Sequence, residues 1–170
     1  MITISRTTVV SVLAALTLAI TVAANLSPAP PAEGSQVNTS AGLTSTGLPL
    51  ALRGYDPVSY VQGAAPLAGQ ASFSATHEGA TYRFANEENQ EAFEDSPSRY
   101  VPRFGGYCAY GVSVGKKFDG DPLVYKLHDG RLYLNLNPDI AAKFGEDVPG
   151  NVGKAVDQWA RIHDKSPADL

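Results

Sequence analysis

Ser72-Phe73-Ser74-Ala75-Thr76-His77-Glu78-Gly79-Ala80-Thr81-Tyr82-Arg83-Phe84 is the stretch whose reading decides the fold. From Ser72 to His77 the residues alternate, with Phe73, Ala75 and His77 on one side; from Ala80 to Phe84 they alternate again, with Tyr82 and Phe84 together. Successive side chains of a strand point to opposite faces, so each run predicts a strand with one covered face. Glu78-Gly79 between them suits the short turn of a β-hairpin.

Reading outward, Asn86 is placed to cap a helix, Glu87 and Glu88 put negative charge on its positive end, Phe93 faces the core, and Pro97 stops it. A second hairpin is predicted over Val124 to Leu134, turned at Asp129-Gly130. Near the end, Asn151 precedes Val152, Ala155, Val156, Trp159 and Ile162, whose spacing makes one apolar helical stripe that packs back over the sheet. The fold class expected is α+β: a small domain of β-hairpins with short helices packed on the sheet.

Arg6 followed by the apolar run Val9 to Ile20 and by Val22-Ala23-Ala24 has the form of a secretory signal, residues 1–24, with cleavage expected after Ala24. The run is short for a membrane span of roughly 20 residues, so the product expected is periplasmic or secreted without stable membrane insertion; retention as an anchor is the other reading. Residues 25–47 begin Asn25-Leu26-Ser27-Pro28-Ala29-Pro30-Pro31 and continue rich in Gly, Ser, Thr and Asn, which reads as a flexible linker. Residues 48–165 then form one domain, with no internal repeat expected.

The chain has 13 Lys+Arg against 17 Asp+Glu, and losing Arg6 with the leader makes it slightly more acidic. With no basic block or stripe, this excludes nucleic acid as the main partner. There is no phosphate loop, nucleophile elbow, Cys-x-x-Cys pair or helical His-Glu-x-x-His. A structural zinc site is also disfavoured, because one cysteine and scattered histidines lack the close ligand pairs it uses.

Cys108 is the chain's only cysteine, in the run Phe104-Gly105-Gly106-Tyr107-Cys108-Ala109. A leftover thiol in an exported protein is inert and buried, paired with another chain, or kept for reactivity or metal affinity. Gly105-Gly106 suit a loop that wraps an ion or presents a thiol, and equally a tight turn before a buried cysteine. His77 is the candidate second residue: alternation sends it to the side of Phe73 and Ala75, and an imidazole there could join the thiolate on a soft ion such as Cu(I). A histidine beside the turn bonded to backbone is the alternative. His128 reads as an exposed residue at the second hairpin tip, and His163 as a cation at the end of the last helix. Asp56-Pro57 reads first as a helix cap with proline at the first helical position, and otherwise as an acid beside the thiol. Tyr107, Tyr110 and Tyr133 read as half-buried packing residues whose hydroxyls reach the surface.

Four blocks in order, Gly54-Tyr55-Asp56-Pro57-Val58-Ser59-Tyr60, His77 to Phe84, Phe104 to Ala109, and Asp129-Gly130-Arg131-Leu132-Tyr133-Leu134-Asn135, resemble those of exported bacterial YHS-domain (seleno)proteins. The resemblance spans about residues 48–163. It implies a metal-binding module, since related domains are fused to copper-transporting ATPases, and it singles out Cys108, the position that some members fill with selenocysteine. Val61 and Phe104 depart from the family's usual aromatic and tyrosine there. Two functional classes follow. The first is an exported soft-metal module, with copper on Cys108 and His77 and an envelope protein that delivers or receives the ion. The second is a single-cysteine redox enzyme acting on peroxide or disulfide; a structural or interaction domain comes third. The metal reading is the one chosen on sequence, with enzymatic activity and oligomeric state left open.

Overall fold

A computed structural model describes residues 36–170. The leader expected at residues 1–24 and the first part of the linker lie outside the described residues. Among the described residues, no helix is long and apolar enough to cross a membrane.

The domain is α+β. Short strands β1 (Thr39–Ser40) and β2 (Leu50–Ala51) are followed by helix α1 (Pro57–Val61), the hairpin β3 (Gln70–His77) and β4 (Ala80–Phe84), and helices α2 (Glu87–Asp95) and α3 (Pro97–Tyr100). Then come α4 (Ala109–Ser113), the hairpin β5 (Asp121–His128) and β6 (Arg131–Asn135), and helices α5 (Pro138–Glu146) and α6 (Val148–Ile162). The first four strands form one sheet in the order β1-β2-β4-β3, and β5 and β6 form a second. Both expected hairpins are present, and their turn residues Glu78, Gly79, Asp129 and Gly130 all have positive φ. That is the left-handed backbone that an acidic residue followed by glycine tolerates best.

Three expectations are corrected. Residues 37–40 are not linker: Val37 is buried in the core, Asn38 N donates to Gly105 O at 2.8 Å, and Thr39 pairs with Ala51. The folded domain therefore starts before Leu48. The last helix begins earlier than Asn151, because Asp147 caps it through Gly150 N; Asn151 lies inside, its amide donating to Lys143 O and Phe144 O. On that helix Ala155 and Ile162 are buried and Trp159 is half-buried, whereas Val156 is exposed.

The third correction concerns the repeat, which the chain does contain. The left-handed run Leu52-Arg53-Gly54 recurs as Phe104-Gly105-Gly106. Tyr55 and Asp56 then recur as Tyr107 and Cys108, and Asp56 caps α1 as Cys108 caps α4. The loop behind each cap closes alike: Asp56 N donates to Leu67 O and Cys108 N to Phe118 O, both at 2.8 Å. Each half then has a hairpin of the same register with an irregularity at the same place, between Gln70 and Ser74 and between Asp121 and Tyr125. Asn86 and Asn137 cap the helices that follow, and Phe93 and Phe144 are their buried anchors. His77 and His128 are equivalent as well, each near the acid of its own turn, at 3.7 Å from Glu78 and 3.5 Å from Asp129.

Two apolar clusters form the core, one shared by the halves, since Leu132 and Leu134 of the second hairpin join Val58, Tyr82 and Phe93 in it, and one built by the second half alone. In the first, Phe93 packs on Tyr82 and Phe84 with ring centroids 5.0 and 5.1 Å away. In the second, Phe104, Tyr133 and Phe144 gather beneath α6. Tyr107 and Tyr133 are buried rather than half-buried. Lys117, 5 % exposed, donates to His163 O and Lys165 O and lies 5.2 Å from the Tyr107 and Trp159 ring centres, holding the C-terminal turn. Burial lowers its pKa, partly countered by Asp164.

Burial raises the hydroxyl pKa of Tyr60, with Tyr55 adding to it, and of Tyr82 and Tyr107, with smaller contributions from Glu78 and Asp119 respectively. An unfolded tyrosine ionises near pH ~10, so the unfolded chain loses these protons first. Their contribution to stability is complete below that pH and is lost as the pH rises through the higher folded-state values. The urea midpoint is expected to hold near neutrality and to fall steadily above pH ~10. Tyrosinate absorbance rising fully while the fold persists would contradict this.

Candidate functional site

Cys108 lies two residues beyond the loop Arg103–Gly106 and caps the start of α4. The backbone reaches this point through three consecutive left-handed residues, Phe104, Gly105 and Gly106. Gly105 is required there twice, for its φ of +61° and because a Cβ would overlap the carbonyl of Gln36. The segment that ends in Asn38 thus lies directly on the loop before the thiol, with Asn38 Nδ2 donating to Gly106 O at 3.2 Å.

The sulfur is fully buried. It accepts Gly111 N–H at 3.4 Å as the cap of α4, and its own proton points to Asn135 Oδ1 at 3.9 Å. Cys108 also bridges to Leu134 in parallel fashion, which sets Asn135 beside it. Asn135 Oδ1 further accepts Tyr110 N–H at 3.4 Å, while its Nδ2 has no partner. The Phe118 ring lies over Gly111, where a Cβ would come within 2.9 Å of it, and Phe118 is 48 % exposed. A cleft of about 160 Å³ borders the loop, with Asn38, Arg53, Gly105, Gly106, Asp119 and Leu134 in its wall.

Of the residues singled out by sequence, Asp56 does what its position suggests, capping α1 with Pro57 at the first helical position. It is also fully buried, a keystone between α1, β4 and α2: Oδ1 accepts Val58 N–H at 2.8 Å, and Oδ2 accepts Ala85 N–H at 2.9 Å and Asn89 Nδ2 at 2.6 Å. His163 caps α6, with Nδ1 3.1 Å from Trp159 O. His77 lies edge-on to Phe93 at the tip of the first hairpin, centroids 5.9 Å apart, with Glu78 as its charged neighbour. His128, on the second hairpin, sits near Asp129 and Tyr133.

These surroundings do not fit a resident copper ion. The groups that meet the sulfur are the Gly111 N–H and the Asn135 amide, with no imidazole, carboxylate or second sulfur among them, and His77 is engaged in a different cluster. Among the described residues, no group of three or more His, Cys, Asp or Glu is placed to hold a metal. The residue that sequence reasoning missed is Asn135. Its only signal is an amide ending the apolar strand Leu132-Tyr133-Leu134, where the equivalent residue of the first half is Phe84.

Comparison with family models, with curated proteins and with solved structures returns no match for this chain.

Proposed function

We propose that this domain works, after export, as a single-cysteine redox module in which Cys108 reduces a peroxide and is reset by external thiols. The observation that supports this most is the position of the sulfur. It occupies the place where the first half of the chain buries the Asp56 carboxylate among N–H donors, a frame suited to an anion. Thiolate is the nucleophilic form of cysteine, and the sulfur already takes the Gly111 N–H in the place where Asp56 takes its own. The resemblance to a family in which some members carry selenocysteine at this position adds to the reading.

The chemistry balances as follows. The Cys108 sulfur, having released its proton, attacks one peroxide oxygen; an S–O bond forms as the O–O bond breaks. The leaving oxygen takes the electron pair and a proton and departs as alcohol or water. Sulfur is oxidised to a sulfenic acid. A first external thiol condenses with it, releasing water and forming a mixed disulfide; a second displaces Cys108 and leaves as a small disulfide.

The test treats the reduced exported protein with hydrogen peroxide and traps sulfenic acid with dimedone, read by intact mass. The wild type is expected to gain one adduct and to consume peroxide catalytically when a small thiol is supplied. Cys108→Ser should do neither while remaining folded. In parallel, anaerobic Cu(I) titration tests the metal reading on Cys108 and His77. Tight, Cys108-dependent copper binding with no peroxide reaction would put the metal module in place of the redox one. Neither activity would leave Cys108 as a packed helix cap.

A further inference from the structure

The two halves finish the same position differently. Around Asp56 every partner is complete: the carboxylate accepts three N–H groups, and Asn89, which supplies one of them, accepts Gln62 Nε2 at 3.4 Å through its own Oδ1. Around Cys108 the set is open. Asn135 is 0 % exposed, and its Nδ2 donor has no acceptor. That nitrogen belongs to the same amide whose Oδ1 lies 3.9 Å from the sulfur, so the idle donor is one bond angle away from the group that meets the thiol. A buried donor without a partner destabilises a fold, and the first half, where Asp56 itself takes the N–H equivalent to that of Tyr110, carries no such donor at the matching strand position, which is Phe84. Asparagine is also a poor strand former. The Oδ1 has a structural duty, accepting Tyr110 N–H where Asp56 Oδ1 accepts Val58 N–H, but the Nδ2 has none, and an acceptor atom arriving next to the sulfur would supply its partner.

We infer that Asn135 Nδ2 is the hydrogen-bond donor for a hydroperoxide at Cys108, a role that rests on the redox reading above. As the sulfur attacks one oxygen, negative charge builds on the other. The Asn135 N–H holds that leaving oxygen without giving up its proton, and the alkoxide is protonated from solvent. A fixed donor placed where charge develops accelerates a reaction strongly. The substrate class is then a hydroperoxide, whose leaving oxygen can accept this bond, in preference to a disulfide, whose leaving sulfur accepts poorly.

The experiment compares second-order rates of the full-length exported protein and its Asn135→Leu variant with two small reagents, hydrogen peroxide and dimethyl disulfide, whose leaving group is a sulfur. The variant is expected to lose on the order of 100-fold with peroxide and less than about twofold with the disulfide. An equal loss with both reagents would reduce Asn135 to a residue that merely places the sulfur, and no loss with either would remove it from the site; both overturn the inference. A wild type that reacts with the disulfide but not with peroxide would overturn the redox reading and this inference together. Should Asn135→Leu fail to fold, the wild type decides. On oxidation to the sulfenic acid, the side-chain amide signal of Asn135 in nitrogen-15 NMR should shift and its protons should exchange more slowly. An unmoved signal overturns the assignment.

Discussion

Asp56→Ala is expected to destabilise the domain by roughly 3–5 kcal/mol, a large part of the total stability of a small fold. The carboxylate is fully buried and its removal strands three donors: Val58 N–H, Ala85 N–H and the amide of Asn89. Each buried donor left without an acceptor costs about 1–3 kcal/mol, and the three belong to α1, to the segment after β4 and to α2, so their loss loosens the junction between them. Losing the cap of α1 adds about 1 kcal/mol. Asp56→Asn keeps one acceptor oxygen and should fall between the two. Denaturant unfolding measures both, and a shift within about 0.5 kcal/mol for Asp56→Ala, the size of an ordinary surface change, would refute the keystone role.

Gly105→Ala is expected to release the N-terminal segment from the fold. Two effects act together. An L-residue at a φ of +61° costs about 1–2 kcal/mol, and the new Cβ would occupy the place of the Gln36 carbonyl. The segment must then lift, breaking the bonds from Asn38 N and Nδ2 to Gly105 O and Gly106 O and exposing Val37. A total of roughly 2–4 kcal/mol follows, with burial of one valine accounting for about 1.5 kcal/mol or more. Hydrogen exchange at Asn38 reads the event directly, and limited proteolysis should cut before Ala41 in the variant only. Continued protection of the Asn38 amide would mean that the segment is held by other contacts.

The repeat bears on how the thiol should be regarded. Two copies of one plan, each with a left-handed turn, a capped short helix, an irregular hairpin and a capped second helix, carry different chemistry at the cap itself. One copy places a carboxylate there and satisfies it completely. The other places a thiol there and leaves a donor idle beside it. Because the surrounding frame is common to both, the difference at the cap is chemical rather than architectural.

What was legible in the sequence was local. Alternation in Ser72 to Phe84, the Glu78-Gly79 and Asp129-Gly130 turns, the Asn86 and Asp56 caps and the stripe of the last helix are each set by interactions within a few residues. Their physics is complete in a short window, and it was sufficient for an α+β fold. The last helix shows where a short window ends: its Ala155 and Ile162 face inward as the spacing requires, but Val156 is exposed and the true cap is Asp147. A broad apolar stripe does not say which of its edges the neighbouring elements will cover.

The rest depended on contacts between residues distant along the chain. The repeat survives in sequence only at turn glycines, caps and a few aromatic anchors, because packing tolerates any side chain of suitable size elsewhere. Val37 to Ser40 resembles linker by composition and becomes sheet only because Gly105 leaves room for the backbone of Gln36. His77 and Cys108 are joined in the sequence reading as ligands of one soft ion, yet the fold places the first at a hairpin tip against Phe93 and the second beside Asn135. The sequence by itself determined the hairpins, the caps and a single cysteine in a glycine-bent loop, since backbone preference acts locally. Only the tertiary structure decided that the cysteine stands where the first half buries an aspartate, with an unsatisfied amide at its side, because burial and hydrogen-bond satisfaction belong to the assembled chain.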